Sequence, residues 1–245
     1  MSHDLHIDVT TTSAANQFAV DARYKLIYFY SADSFCHVEG IRYPLTSGNL
    51  LLLRPLEAYT TPNSPCKQIT FSFSARTLAL IDPSGQLQHL LDIQTSPLYC
   101  PQKEYQTFFR LLLTQNIAQN QAILCVALST LMSLPQPTSR HAPLSFLLQP
   151  FLQHINQHLT SNLDIDELCA QFNITRSYLY SRFKQITGTT LAAYIQTKRL
   201  FLARQLMDNG LSAHDACQQS GFADYSTFYR AYIKRFGVTP TTDMS

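Results

Sequence analysis

A pattern that occurs twice between residues 163 and 240 constrains this chain more than any other feature. Leu179 and Phe228 correspond at a spacing of 49, as do Phe183 with Tyr232 and Gly188 with Gly237, while Cys169 and Cys217 stand 48 apart. The second copy therefore carries one extra residue in its turn. Both copies share one grammar. A short helix opens on a capping residue with a carboxylate three positions on, Asp164 with Glu167 and Ser212 with Asp215. A turn follows at Asn173 or Gly221, residue types that tolerate positive φ. Ile174 or Phe222 then plugs a core. Thr175 or Asp224 caps a second helix that carries Leu179 and Phe183, or Phe228 and Tyr232, inward. The pattern predicts a helix-turn-helix twice over.

Between the copies, Leu191 to Asn209 places Tyr194, Ile195, Leu202, Leu206 and Met207 on helical spacing, with Thr189 or Thr190 as cap and Gly210 as stop. A helix of that length spans roughly 28 Å. Successive major-groove faces on one side of B-DNA lie ~34 Å apart, so this rod can hold two reading helices in adjacent grooves. Charge agrees with that reading. The formal net charge is +2, yet all nine basic residues of the stretch 141–245 fall between Arg176 and Arg235, opposed there by Asp208, Asp215 and Asp224. A basic stretch so confined points to a polyanionic partner.

The duplicated region resembles the DNA-binding domain of the AraC/XylS family of bacterial transcription regulators. The similarity runs from Leu163-Asp164-Ile165-Asp166-Glu167-Leu168 through Tyr178-Leu179, Arg182-Phe183-Lys184, Gly188, Tyr194, Arg199-Leu200, Ala203 and Leu206. It continues with Ser220-Gly221-Phe222-Ala223-Asp224, Ser226, Phe228, Arg230 and Gly237-Val238-Thr239-Pro240. The resemblance implies base contacts from Arg176, Ser177, Tyr180 and Ser181 in the first copy, and from Tyr225, Ser226, Tyr229 and Arg230 in the second. These positions lie off each core stripe. Arg230 stands out because arginine can bond guanine O6 and N7 together. Arg182, Lys184, Lys198, Lys234 and Arg235 suit phosphate contacts, which position a protein without reading sequence. Two residues depart from the family pattern: Ser181 stands where many relatives have arginine, and Ile233 where lysine is frequent. Both departures imply weak binding by a single copy, and with it reliance on dimerisation or tolerance of degenerate sites.

The front half reads differently. Tyr24 to Tyr30 is an aromatic β-rich run, Leu50 to Leu53 a buried apolar one, and Ile69, Phe71 and Phe73 alternate with polar residues. Gly40 and Ser47-Gly48-Asn49 mark turns. From Lys103 the period becomes helical, with Tyr105, Phe108, Phe109 and Leu112 on one face and a second helix from about Gln121 to Leu134. The stretch Leu45 to Tyr59 is similar to the hairpin of the family's cupin-like sensor barrel. The helices after Lys103 resemble the hairpin through which such domains dimerise. Residues 135–143 hold three prolines without periodicity and read as a linker. The expected organisation is α+β: a cupin-like β-barrel with helical hairpin over 1–134, a linker over 135–143, and an all-α double helix-turn-helix domain over 144–245.

Composition removes several function classes. Charged residues make up 14% of the chain and hydrophobic ones 45%, which excludes a highly charged disordered protein. No apolar run approaches ~18 residues, so no membrane partner is expected. The acidic start Met1-Ser2-His3-Asp4 has no signal-peptide pattern, and the expected location is the cytoplasm. Six dispersed cysteines, at least 25 residues apart, read as buried thiols. His154 and His158 share a helical face without a carboxylate beside them, so no metal is assigned there. A cupin metal enzyme needs converging His and Glu ligands; His37 and Glu39 stand together, with Glu57 later and Tyr59 where a second histidine would serve. No nucleophile motif occurs. No catalytic residue, metal or cofactor is assigned.

The expected activity is sequence-specific binding of double-stranded DNA by a homodimer joined through helices 103–134, with activation implied by the family resemblance. A small-molecule effector would draw on an aromatic barrel interior of Tyr24, Tyr28, Tyr30, Phe35, Phe71 and Phe73, with Arg23, Arg42 or Arg54 for an anion. The alternatives are a protein-interaction module without DNA on the same scaffold, and a cupin-type metal enzyme fused to a helical domain.

Overall fold

The computed structural model describes residues 5–12, 17–93, 96–115, 120–134 and 148–242. The front unit contains nine described strands: β1 (Leu5–Thr12), β2 (Phe18–Ala19), β3 (Tyr24–Ser31), β4 (Asp33–Val38), β5 (Ile41–Thr46), β6 (Leu50–Leu53), β7 (Tyr59–Thr60), β8 (Cys66–Phe73) and β9 (Leu98–Tyr99). They form two antiparallel sheets, one ordered β1-β8-β3-β6-β9 and the other β2-β7-β4-β5. Four helices belong to this unit: α1 (Ala75–Ile81), α2 (Gln86–Ile93), α3 (Lys103–Gln115) and α4 (Asn120–Ser133). The expected linker, 135–143, lies outside the described residues. Helices alone follow: α5 (Leu148–Gln157), α6 (Ile165–Gln171), α7 (Arg176–Thr187), α8 (Leu191–Asp208), α9 (Ala213–Gln219) and α10 (Tyr225–Phe236). The class is α+β, as expected.

Side-chain alternation assigns the front unit two cores. Ile27, Phe29, Leu51, Leu53 and Cys66 of the larger sheet meet Cys36, Val38, Tyr43 and Leu45 of the smaller one. The opposite face of the larger sheet carries Tyr24, Leu26, Tyr28, Leu50, Leu52, Ile69, Phe71 and Phe73, and packs on Leu91, Phe109, Leu124 and Leu128 of the helices. Strand β6 is therefore covered on both faces, which is why four consecutive leucines form it.

This parity corrects one expectation. Tyr24, Tyr28, Phe71 and Phe73 do not line the space between the sheets, because residues of that parity face the helical layer. Residues of the other parity, Ile27 and Phe29 of β3 with Leu51 and Leu53 of β6, fill the interior. Helices α1 and α2 and strand β9 were not anticipated. Helix α1 begins on Ser74, whose side chain accepts from the Thr77 N–H, a capping signal that is weak without a longer apolar period behind it.

The back unit follows the duplicated grammar closely. Asp164 and Ser212 cap α6 and α9, accepting from the Glu167 and Asp215 N–H groups. Asn173 at φ 52° and Gly221 at φ 88° make the two turns. Thr175 and Asp224 cap α7 and α10. Helix α8 serves both copies. Leu191, Tyr194 and Phe201 join the core of Leu179 and Phe183, whereas Leu200, Ala203 and Met207 join that of Phe228 and Tyr232. The first of these cores also takes in Val20 and Ala58 of the sheet unit, together with Phe151, Leu152 and Ile155 of α5. The two units thus share apolar contacts.

His37 lies beside that junction. It is 6% exposed, its Nδ1 has no hydrogen-bond partner among the described residues, and it borders a small void with Phe18, Thr187 and Tyr194. Burial, and then the nearby Arg42 guanidinium, hold its pKa below the ordinary 6.5. The folded protein therefore binds this proton less readily than the unfolded chain. The contribution of neutral His37 is fully present above about pH 6.5 and is lost as pH falls from there through the lowered folded value. Thermal melts followed by circular dichroism should show the midpoint falling between pH 7 and 5, with a shallower fall in His37→Gln; equal slopes in the two proteins would contradict this assignment.

Candidate nucleic-acid interface

Helices α7 and α10 acquire their outward faces from the residues they bury. In α7 the Thr175 hydroxyl accepts from the Tyr178 N–H at 3.2 Å, and Leu179, Phe183 and Ile186 turn into the core. Arg176, Ser177, Tyr180, Ser181 and Lys184 are left exposed. In α10 the Asp224 carboxylate accepts from the Thr227 N–H at 2.8 Å, and Phe228 and Tyr232 are fully buried. Tyr225, Ser226, Arg230, Lys234 and Arg235 are exposed there, with Tyr229 half-buried. The structure thus brings the eight expected base-contacting residues onto two helix faces, four on each, at the two ends of α8.

Several of these side chains already have partners. Arg176 Nε pairs with Asp166, and Arg182 donates to Gln185 at 2.6 Å. Arg230 Nε reaches the Ser226 carbonyl one turn back at 3.3 Å, a contact weak enough to exchange for a base edge. The Tyr225 and Tyr229 rings lie 6.1 Å apart along the same face. Among the phosphate candidates, Lys184 and Lys234 are free to reach outward. Arg235 leans over the Phe201 ring at 5.2 Å and, with Arg23, Arg76 and Arg204, lines a cleft of about 680 Å³ between the sheet unit and the helices.

Lys198 corrects an expectation. It is 4% exposed, and its ammonium donates to Glu39, Asn156 and Tyr194. Its face of α8 is covered by the sheet unit, so in this arrangement it cannot meet a phosphate. Sequence reasoning gave Glu39 and Asn156 no role in this cluster. The available signal was a glutamate preceding glycine in a predicted turn, where a short residue is usual.

The residues expected around an effector are dispersed. Tyr28, Tyr30 and Phe71 pack on the helical layer. Arg42 stacks on Phe35 at 3.8 Å, Arg54 pairs with Glu57 at 2.6 Å, and Arg23 lines the cleft between units. Between the sheets there is instead a cavity of about 190 Å³ whose lining includes Thr10, Lys25, Phe29, Gln68 and Thr70. No group of three or more potential metal-binding side chains occurs among the described residues. No helix described is long and apolar enough to cross a membrane.

Comparison with known proteins bears on these faces. A family model described as a helix-turn-helix domain matches residues 168–244. The probable transcriptional regulator LumQ of Photobacterium leiognathi is 33% identical over 89 residues, which are 36% of this chain and 36% of LumQ. The HTH-type transcriptional regulator YpdC of Escherichia coli, itself uncharacterized, is 24% identical over 216 residues, 83% of this chain and 75% of that protein. The xylose operon regulatory protein of Escherichia coli is 30% identical over 90 residues, 36% of this chain and 23% of that protein. Among solved structures, ToxT of Vibrio cholerae aligns over 98% of each chain at 12% identity, with a TM-score of 0.42.

Within this helix-turn-helix domain the Gly221 turn is closely packed. Its φ is 88°, and a Cβ there would come within 2.8 Å of the Thr160 backbone in the connection between α5 and α6. The second motif is thereby seated against the first. Gly221→Ala should destabilise the protein by about 2 kcal/mol or more, through left-handed strain and a contact with backbone that cannot swing aside. Urea titration followed by circular dichroism measures this; a loss under ~0.5 kcal/mol would show that the turn can open.

Proposed function

We propose that this protein is a sequence-specific DNA-binding transcription regulator that acts as a homodimer. The observation that carries the proposal is the pair of reading helices. Two polar faces, one bearing Arg176 and Tyr180 and the other Tyr225, Tyr229 and Arg230, stand at either end of one 18-residue helix, about 27 Å long. That separation approaches the ~34 Å between successive major grooves on one side of B-DNA. The regulator names of the relatives, LumQ and YpdC, support the same reading.

Dimerisation has a candidate surface. Tyr105, Phe108 and Leu111 of α3 are at least 37% exposed and recur at a spacing of three. Such an apolar stripe on a helix, left uncovered by the chain's own core, fits a second copy meeting it in the same way. In this reading an effector acts by differential affinity for two arrangements of the sheet unit and the DNA-binding unit. The cavity between the sheets offers polar and aromatic groups for a small polar molecule.

Affinity selection of fragmented genomic DNA on the full-length protein, near 100 mM salt, should recover two short elements about one helical turn apart. Binding to the recovered duplex should weaken steeply with salt, because each neutralised phosphate releases counterions. A salt-insensitive interaction would favour a protein-binding module instead. Two substitutions separate reading from positioning. Arg230→Ala should cost ~1–3 kcal/mol and relax preference at one base pair, whereas Lys184→Ala should weaken all sequences alike and reduce the salt slope by about 1. For the dimer, Phe108→Glu should yield a monomer in sedimentation equilibrium. It should lower affinity for a two-element duplex at least about tenfold with single-element affinity unchanged; an unaltered mass would place the dimer contact elsewhere.

A further inference from the structure

The β4–β5 hairpin turns at Val38-Glu39-Gly40-Ile41, with Val38 paired to Ile41. Both central residues have positive φ, 47° at Glu39 and 75° at Gly40. Two-residue turns of this kind favour asparagine, aspartate or glycine at the first position, because longer side chains meet the left-handed clash and make no local hydrogen bond in return. A glutamate held there needs a reason. Its carboxylate supplies one. Oε1 accepts from Lys198 Nζ at 2.7 Å and from the Ala58 N–H at 2.7 Å. Oε2 accepts from Asn156 Nδ2 at 2.6 Å and from the Tyr194 hydroxyl at 2.8 Å. Lys198 also donates to Asn156 Oδ1 at 2.7 Å. A residue of the front unit thus receives three donors from α5 and α8, more than 110 positions away in the chain.

The hairpin tip packs closely on α5. A Cβ on Gly40 would run into the Leu152 side chain of α5. The polar cluster adjoins the apolar contact of Val20 and Ala58 with Phe151 and Ile155. Docking of the sheet unit leaves Arg176, Ser177, Tyr180, Ser181, Tyr225, Ser226 and Arg230 exposed. The contact therefore does not hide the reading faces. It fixes where they stand relative to α3 and α4.

We propose that Glu39 is an interdomain latch: through Lys198, Tyr194 and Asn156 it clamps the sheet unit onto α8, so that a dimer accepts only one spacing of its DNA elements. The spacing part rests on the DNA-binding reading above; the latch itself does not. Glutamine cannot replace this carboxylate, because its NH2 would face a donor in place of an acceptor, opposite either Lys198 and Ala58 or Asn156 and Tyr194. Asparagine suits the turn better than glutamate but falls one methylene short of the four donors.

Hydrogen–deuterium exchange on the full-length protein without DNA tests the latch directly. Glu39→Asn and Lys198→Met should each raise exchange about tenfold at residues 36–42 and 191–201, with the β3 and β8 amides unchanged. The double variant should go no further than the larger single one. Unchanged exchange in Glu39→Asn, or additive effects in the double variant, would overturn the latch. Binding to two-element duplexes of graded spacing tests its consequence. The wild-type protein should discriminate among spacings, while the variants should bind them all within about threefold and keep their affinity for a single element. Loosened exchange with spacing preference intact would overturn the coupling. A wild-type protein that binds no duplex would overturn the DNA reading, and the exchange result would still decide the latch.

Discussion

Helix α8 is the constraint on which the rest of the molecule depends. A short helix, a tight turn and a 12-residue helix cannot enclose a core unaided, because two short helices leave their inner faces open to water. Each motif closes its core against a different end of α8, Leu191 and Tyr194 with the first, Ala203 and Met207 with the second. A third face meets the sheet unit through Lys198 and Phe201. A helix covered on three sides has little amphipathic period left to display. It is also continuous across both cores, so the relative placement of α7 and α10 is a property of one rod rather than of two independent motifs.

The contact between the two units combines forces of different kinds. Burying apolar side chains such as Val20, Phe151 and Ile155 is worth about 1.5–3 kcal/mol each, and it tolerates small sliding because dispersion has no direction. The Glu39–Lys198 pair is different. Withdrawing two charges from water costs several kcal/mol apiece, and their attraction with the accompanying hydrogen bonds roughly offsets that. The pair thus adds little net stability when made, yet breaking one side leaves a charge stranded in a buried site. Apolar contact supplies the holding force, and the polar cluster selects one register out of those that the apolar faces would permit.

How much of this was legible in the sequence follows from how local each signal is. Caps at Asp164, Thr175, Ser212 and Asp224, and turns at Asn173 and Gly221, are decided within four residues, and all appear as read. The period of Tyr24 to Tyr30 identified a strand but not which face met which core, because β3 is buried on both sides and apolar at both parities. Strand parity in the sequence therefore does not say which of its aromatics face the sheet interior and which the helices. Lys198 was misjudged because a lysine is ordinarily exposed, and its partner Glu39 is 159 residues distant. No local window contains that pairing. What a window does contain is the oddity of a glutamate at the first position of a Glu-Gly turn, which signals a tertiary demand without naming its source.

The docked arrangement changes what the segment between the units can contribute. Were the DNA-binding unit attached through a chain segment alone, the second half of a dimer would meet its element at an effective concentration set by segment length, falling slowly as the separation varies. Such tethering discriminates poorly between spacings. In the proposed dimer, docking onto α8 would replace that broad distribution with a fixed vector from the α3–α4 surface to the reading faces, and misplaced elements would then have to be reached by bending DNA or breaking the dock. Either penalty rises with displacement far more steeply than chain entropy does. Weak readout by a single copy, implied by Ser181 and Ile233, would become workable under that geometry, since the spacing itself carries sequence information that the individual helices lack.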